Sequence, residues 1–195
     1  MNRILGGLVI LGFLAVPAGA EPDLPAPAKP GIEALTARSE GGRAWVSYEV
    51  ARVMDAEVEE RIHSGIPVTF QHKVQVLSKR AVPLMPSKVI AQTTIETRVE
   101  YDSLTRRYDL LRRIEHKIRQ KKQGPLTEEQ RKLTDSLEEM RTWMTRFDEI
   151  PVFDPARELR GRSLRVRVEI NLGRRYILLV FPGTRSVSAE TPLGP

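Results

Sequence analysis

Three histidines and one knot of carboxylates are the residues of this chain that could move protons or hold a metal. His63, His72 and His116 lie far apart, on what read as one helix and two different strands. They lack the close pairing with which a local motif presents two imidazoles to one ion. They are expected as ordinary surface or strand residues, with no metal and no cofactor. Asp148, Glu149 and Asp154 could in principle supply an acid and a base. No partner acid is held opposite them, and Pro151 and Pro155 mark the stretch as turns and caps. Gly-x-Ser-x-Gly, His-Glu-x-x-His and Walker sequences do not occur, so hydrolase, metalloprotease and nucleotide-binding chemistry has no local support. Cysteine is absent, which excludes thiol catalysis and cysteine-ligated metal centres. No catalytic residue is assigned, and the expectation is a protein that is not an enzyme.

Basic residues give a denser signal. Arg106, Arg107, Arg112, Arg113, Lys117, Arg119, Lys121 and Lys122 crowd one strand and its exit. Arg107, Arg113, Lys117 and Arg119 share the alternation that faces away from the apolar side. The simplest account is a solvated stripe. As a binding surface it would suit an acidic protein or the phosphates of an anionic lipid, which match the guanidinium fork.

The N-terminus bears on which of these counterparts the chain could meet. Arg3 precedes the apolar run Ile4 to Val16, and Pro17-Ala18-Gly19-Ala20 ends with small residues where a signal peptidase reads them. A signal peptide over residues 1–20, cleaved after Ala20, is therefore expected, with a periplasmic product. The run falls short of the roughly 20 residues a membrane span needs, so no stable span is expected after cleavage. The formal charge of +6 would otherwise suggest nucleic acid, but export makes that partner improbable and leaves an envelope protein or anionic lipid.

The elements that must position these groups follow from hydrophobic periodicity. Pro22, Pro25, Pro27 and Pro30 make residues 21–31 an extended linker. Glu33 to Ser39 and Arg43 to Ala51 flank Glu40-Gly41-Gly42 and read as a hairpin. Asp55 caps a short helix carrying Met54, Val58 and Ile62, and Gly65 ends it. Three long strands follow. Their apolar faces hold Val68, Phe70, His72, Val74 and Val76 on the first; Val89 to Tyr101 at alternate positions on the second; and Tyr108, Leu110, Ile114 and Ile118, interrupted by Arg112 and His116, on the third. Bends or bulges are expected in strands of this length. Pro83 and Pro86 break the first connection; Asp102-Ser103-Leu104-Thr105 forms a compact second one.

After Gly124-Pro125, Thr127 and Gln130 suggest a capping box. It predicts a long helix with Leu133, Leu137, Met140, Met144 and Phe147 on one face and Trp143 at its edge, closed by Ile150-Pro151. Strands over about Ser163 to Asn171 and Arg175 to Phe181 are expected to pair through a turn at Gly173. Residues 183–195 read as a disordered tail. The sum is one domain over residues 32–182 of α+β class. It is a twisted antiparallel sheet of about seven strands with one short and one long helix; a β-sandwich with helical insertions is the alternative.

Three segments, taken together, resemble the DUF4390 family of exported bacterial proteins. They are Gly65-Ile66-Pro67-Val68-Thr69-Phe70, Tyr101-Asp102-Ser103-Leu104-Thr105-Arg106-Arg107-Tyr108, and Trp143-Met144 followed by Ile150-Pro151-Val152-Phe153. The likeness runs from about Ile32 to Phe181. It implies no catalytic residue. Members are often encoded beside a membrane sensor kinase of the nitrogen-regulatory type, which implies an accessory role in envelope sensing. The motif residues have structural uses, with Asp102 bonding the turn and Tyr101 and Tyr108 flanking it. Asp102, Thr105 and Arg106 could also form a binding surface.

Two functions are expected from these readings. The first is a periplasmic interaction module that binds an envelope protein, such as a sensor kinase's extracytoplasmic domain, through residues among Tyr101, Asp102, Thr105, Arg106, Arg107, Tyr108, Arg113 and Trp143. The alternative is a carrier of a lipid or other amphiphile, held between the sheet and the Met140, Trp143, Met144 and Phe147 face of the long helix.

Overall fold

Glycine turns the chain first. Gly41 and Gly42 take φ of +59° and +75°, the left-handed pair that a tight hairpin needs. They join β1 (Gly31–Glu40) to β2 (Arg43–Ala51) as the pattern predicts. Ala44, Val46, Tyr48 and Val50 alternate into the core. The short helix α1 (Ala56–His63) starts at Asp55, whose carboxylate accepts the Val58 N–H at 3.0 Å. Gly65, at φ +78°, turns the chain out of it. This computed structural model describes residues 29–78, 86–117, 125–153, 163–177 and 181–194. The expected signal peptide, the Pro-rich segment up to residue 28, and Pro83, Ile118, Arg119, Lys121, Lys122, Gly124, Asp154 and Pro155 lie outside those residues.

The three long strands are β3 (Val68–Ser78), β4 (Lys88–Asp102) and β5 (Arg107–His116). The expected bulge falls between Val76 and Leu77. They are followed by β6 (Leu126–Thr134), α2 (Leu137–Thr145), β7 (Arg146–Val152), β8 (Leu164–Ile177) and β9 (Phe181–Pro192). The described strands form two antiparallel sheets, β1-β2-β7 and β6-β5-β4-β3-β8-β9. One core lies between them, with Val46 and Tyr48 from the small sheet, Val74, Ile95, Leu110 and Val168 from the large one, Ile62 from α1, and Met140 and Met144 from α2. The class is α+β, as the sequence suggests, with nine described strands in two sheets where about seven in one were expected. No helix of the described residues is long and apolar enough to cross a membrane.

The long helix is corrected. Its predicted first half is strand β6, paired along its length with β5. Glu, Gln, Arg, Lys and Leu all favour helix locally, but the open edge of β5 offers a full ladder of backbone partners, and that tertiary demand overrides the propensity. The helix starts instead at Ser136, whose hydroxyl accepts the Glu139 N–H at 3.3 Å. It ends at Thr145, so Phe147, Ile150 and Pro151 belong to β7. The C-terminus is corrected too. Gly173 is no turn: β8 runs through it with a register shift between Asn171 and Arg174, and β9 pairs back on β8 where a disordered tail was expected. The linker is shorter than residues 21–31 at its far end, because Gly31 already pairs with Ala51.

Arg112 closes the core from β5. It shares a face with Leu110 and Ile114, and its guanidinium is largely buried, which pushes its pKa down. Nη2 donates to the carbonyl oxygens of Trp143 at 2.5 Å and Arg146 at 3.2 Å. Its carbon lies 4.6 Å from the ring centroids of both Trp143 and Phe147. These carbonyls end α2, whose last turn contains no basic residue of its own; the cation comes from another strand and meets the negative end of the helix. Replacing Arg112 with Leu leaves two partly buried carbonyls unpaired, so a loss of about 2–4 kcal/mol is expected from urea denaturation. Arg112→Lys, which keeps the charge but not the planar fork, should fall between.

Candidate functional site

The β4–β5 connection spans four residues, Ser103 to Arg106, between the paired Asp102 and Arg107. Asp102 organises it. Oδ1 accepts the N–H groups of Leu104 at 2.9 Å and Thr105 at 3.4 Å, and Oδ2 accepts the Thr105 hydroxyl at 2.8 Å. The Thr105 hydroxyl, then the Leu104 N–H, hold the Asp102 carboxyl below its ordinary pKa, so the turn keeps its charged acceptor. Arg106 closes the loop at φ +55°, a position where glycine would be unstrained.

Behind the tip, on the core side, an aromatic cluster fixes the hairpin to α1. Tyr101 and Tyr108 are cross-strand partners with ring centroids 4.9 Å apart. His63 meets Tyr101 edge-on at 5.3 Å, and its Nε2 lies 2.7 Å from the Tyr108 hydroxyl. Burial, then Tyr101, raises the Tyr108 pKa. Glu59 of α1 in turn pairs with Arg141 of α2 at 2.6 Å. The turn is therefore braced through its strands and through both helices.

In front of the tip lies an open depression of about 630 Å³, lined by Glu100, Asp102, Leu104, Arg107, Asp109 and Leu133 together with Tyr101, Ser103 and Thr105. Leu104 is 93 % exposed and Leu133 65 %. This gathers Tyr101, Asp102, Thr105 and Arg107 from the predicted residues, with Arg106 at the loop end and Tyr108 behind. It also brings in five that were not among the predicted site residues: Glu100, Ser103, Leu104, Asp109 and Leu133. Leu133 was assigned to a helical stripe, Asp109 lay hidden among basic residues, and Leu104 was read as turn filler, although an apolar residue at the apex of a polar turn is itself a signal.

The other candidates lie elsewhere. Arg107, Arg113 and Lys117 do face away from the core, but Asp109, Leu111 and Glu115 alternate with them, and Arg113 pairs with Glu129 at 3.4 Å. The described part of the stripe is thus a mixed-charge face. Trp143 lies on α2, half-buried under Arg112 and Lys132. Asp148 and Glu149 are exposed and do not face each other as an acid–base pair: Asp148 bonds Arg146 at 3.1 Å, and Glu149, at a β7 bulge with φ +52°, bonds Arg38 at 2.8 Å. Met140, Met144 and Phe147 are fully buried.

His72 and His116 are strand residues with no exposure at all. His72 Nδ1 lies 3.2 Å from the Tyr48 hydroxyl, and His116 Nδ1 lies 2.9 Å from the Thr93 hydroxyl. Burial first, then the Arg112 charge, pushes the His72 pKa down to about 3. Burial also lowers that of His116, with Arg43 adding to it and Glu128 opposing.

Fold and site together define a two-sheet antiparallel α+β protein whose most exposed large apolar side chain among the described residues stands on a braced hairpin tip. The chain matches the model of a domain of unknown function, DUF4390, over residues 28–176, and it belongs to that family. The match takes in both helices and the whole tip, while β9 lies beyond it. No curated protein and no solved structure matches the chain.

The buried histidines set a pH dependence. Burial favours the neutral form of both in the folded protein, while in the unfolded chain they are ordinary, so unfolding takes up protons as pH falls below about 6.5. Stability from this source is complete above that pH and is lost progressively below it, for His72 down to about pH 3. The unfolding free energy from urea denaturation is expected to drop between about pH 6.5 and 5.5, before carboxylates titrate, with a slope of up to about 1.4 kcal/mol per pH unit from His72 and a further decrease in the same direction from His116. His72→Gln should remove its share of that slope.

Proposed function

We propose that this protein is a non-enzymatic interaction module of the bacterial cell envelope, exported on the signal peptide of residues 1–20 and working in the periplasm. Its β4–β5 tip docks on an envelope protein, for which the extracytoplasmic domain of a membrane sensor kinase is the leading candidate. The observation that carries this reading is Leu104, 93 % exposed on a turn whose backbone Asp102 holds and whose strands the His63–Tyr101–Tyr108 cluster fixes. An apolar side chain shown to water on a rigid mount is pre-organised, so little ordering entropy opposes its docking. The core burial of Met140 and Met144 leaves the amphiphile-carrier alternative without the adaptable wall that suggested it.

The test is a photo-reactive amino acid at Ser103, beside the leucine, and at Lys88 at the far end of β4, each expressed in the protein's own host. Adducts with one defined envelope protein are expected from position 103 and not from 88, and Leu104→Ser should abolish them. The substitution should move folding stability by less than about 0.5 kcal/mol, because the side chain is already in water. Irradiation that yields no adduct at 103, or the same adducts from both positions, would discard the reading.

A further inference from the structure

We infer that the depression beside Leu104 takes a protein segment presenting a lysine or arginine next to an apolar side chain. This rests on the tip being a docking surface and names the chemistry of what docks there. Across the outer face of the large sheet, Glu100 stands directly opposite Asp109, and Asp109 directly opposite Leu133. Two like charges in direct cross-strand register oppose strand pairing. Arg98 answers Glu100 at 2.8 Å. Asp109 is exposed and has no ion pair among the described residues. One row nearer the tip, Arg107 faces Asp102, whose oxygens already accept three bonds from the turn. The depression therefore joins three carboxylates to one guanidinium, with Leu104 and Leu133 supplying its apolar part. Arg98 and Arg131 adjoin Glu100 and Asp109 in a neighbouring depression, but both are paired, Arg98 with Glu100 and Arg131 with Glu129. A cationic side chain would relieve the repulsion between Glu100 and Asp109, and an apolar neighbour would cover the two leucines.

The chain as a whole carries a formal charge of +6, so unspecific attraction would favour an acidic segment. A preference for a basic one can come only from local surface chemistry. That contrast makes the inference testable with two fluorescent peptides of about nine residues, one alternating Leu with Lys and the other Leu with Glu, against protein purified from its host.

The Lys peptide is expected to bind about ten-fold tighter at low salt, a difference of about 1.4 kcal/mol. The margin should shrink as salt screens it. Asp109→Asn should weaken Lys-peptide binding about five-fold yet leave the urea midpoint equal or higher, because it removes the like-charge pair. Leu104→Ser should weaken both peptides. Equal or reversed preference overturns the inference, and so does unchanged Lys-peptide binding in Asp109→Asn. If adducts still form at position 103 while the peptide preference is absent, the docking surface stands and only this partner chemistry falls; if no adducts form, the surface itself is lost.

Discussion

A guanidinium buried between two sheets, with no carboxylate in ion-pair contact among the described residues, is the constraint around which this fold is arranged. Water has been removed from most of Arg112, and desolvating a charge is unfavourable unless its hydrogen bonds and field are answered. They are answered in part by what surrounds it, for Nη2 is bonded while Nε is buried without a partner. Two carbonyls at the end of α2 accept from it, the negative pole of the helix faces it, and the rings of Trp143 and Phe147 cover it. Each of those groups is thereby held. The place where α2 stops and β7 starts is set by the arginine as much as by the local sequence. Phe147, fixed under the cation, stacks on Tyr48 at 4.7 Å and touches His72 at 4.4 Å, which seats the small sheet on the large one. The same charge also helps keep His72 neutral.

From that junction a line of contacts runs to the exposed tip. The helix that Arg112 caps carries Arg141, which pairs with Glu59. Glu59 lies on α1, and α1 ends in His63 against Tyr101 and Tyr108. The two tyrosines stand in register beside the turn that Asp102 closes. The links between elements are short contacts, Arg112 to the end of α2, Arg141 to Glu59 and His63 to the two tyrosines, so the tip is tied to the core. A hairpin held only by its own ladder would be far more mobile, since two strands by themselves are marginal.

What could be read from the sequence was whatever is decided locally. The glycine hairpin at Gly41-Gly42, the Asp55 cap, the Gly65 exit and the apolar faces of β3, β4 and β5 all depend on neighbours a few residues apart, and each stands where the pattern placed it. The failures came where a distant strand decided. Residues 126–134 have helical composition but lie along the edge of β5. The real helix start, Ser136 with Glu139 three residues on, is the same signature as Thr127 with Gln130, and only the tertiary setting chooses between them. At the C-terminus, Ser, Thr, Gly and Pro looked incapable of packing, yet a strand supported by the β8 ladder needs little apolar surface of its own. For the site, the motif between Tyr101 and Tyr108 was visible and most of its residues meet, but the depression depends on Leu133 arriving from β6, which a helical reading could not bring there.

The edges of the sheets explain why one leucine on a turn is informative. Open strands invite pairing with other chains, and proteins guard against it with charge or cover. On β6, Glu128 and Lys132 stand on the same side as the core face of β5. Lys132 is tied to Glu139 of α2, and Glu128 lies 3.9 Å from His116. A second β-chain laid on this edge would have to bury those charges. The other side is partly sewn shut, because Gly194 exchanges backbone bonds with Ala37 and Ser39 of β1 at 3.0 and 2.9 Å. With charge on the β6 edge of the large sheet and part of the β1 edge of the small sheet covered, Leu104 is the most exposed large apolar side chain among the described residues. Nothing in the folding of the hairpin requires a leucine there, since the turn is held by Asp102 and by backbone amides that any residue but proline at position 104 would supply. Its side chain gains little from the fold, and it is the bracing of the turn beneath it, not the exposure of one leucine alone, on which the proposed docking role rests.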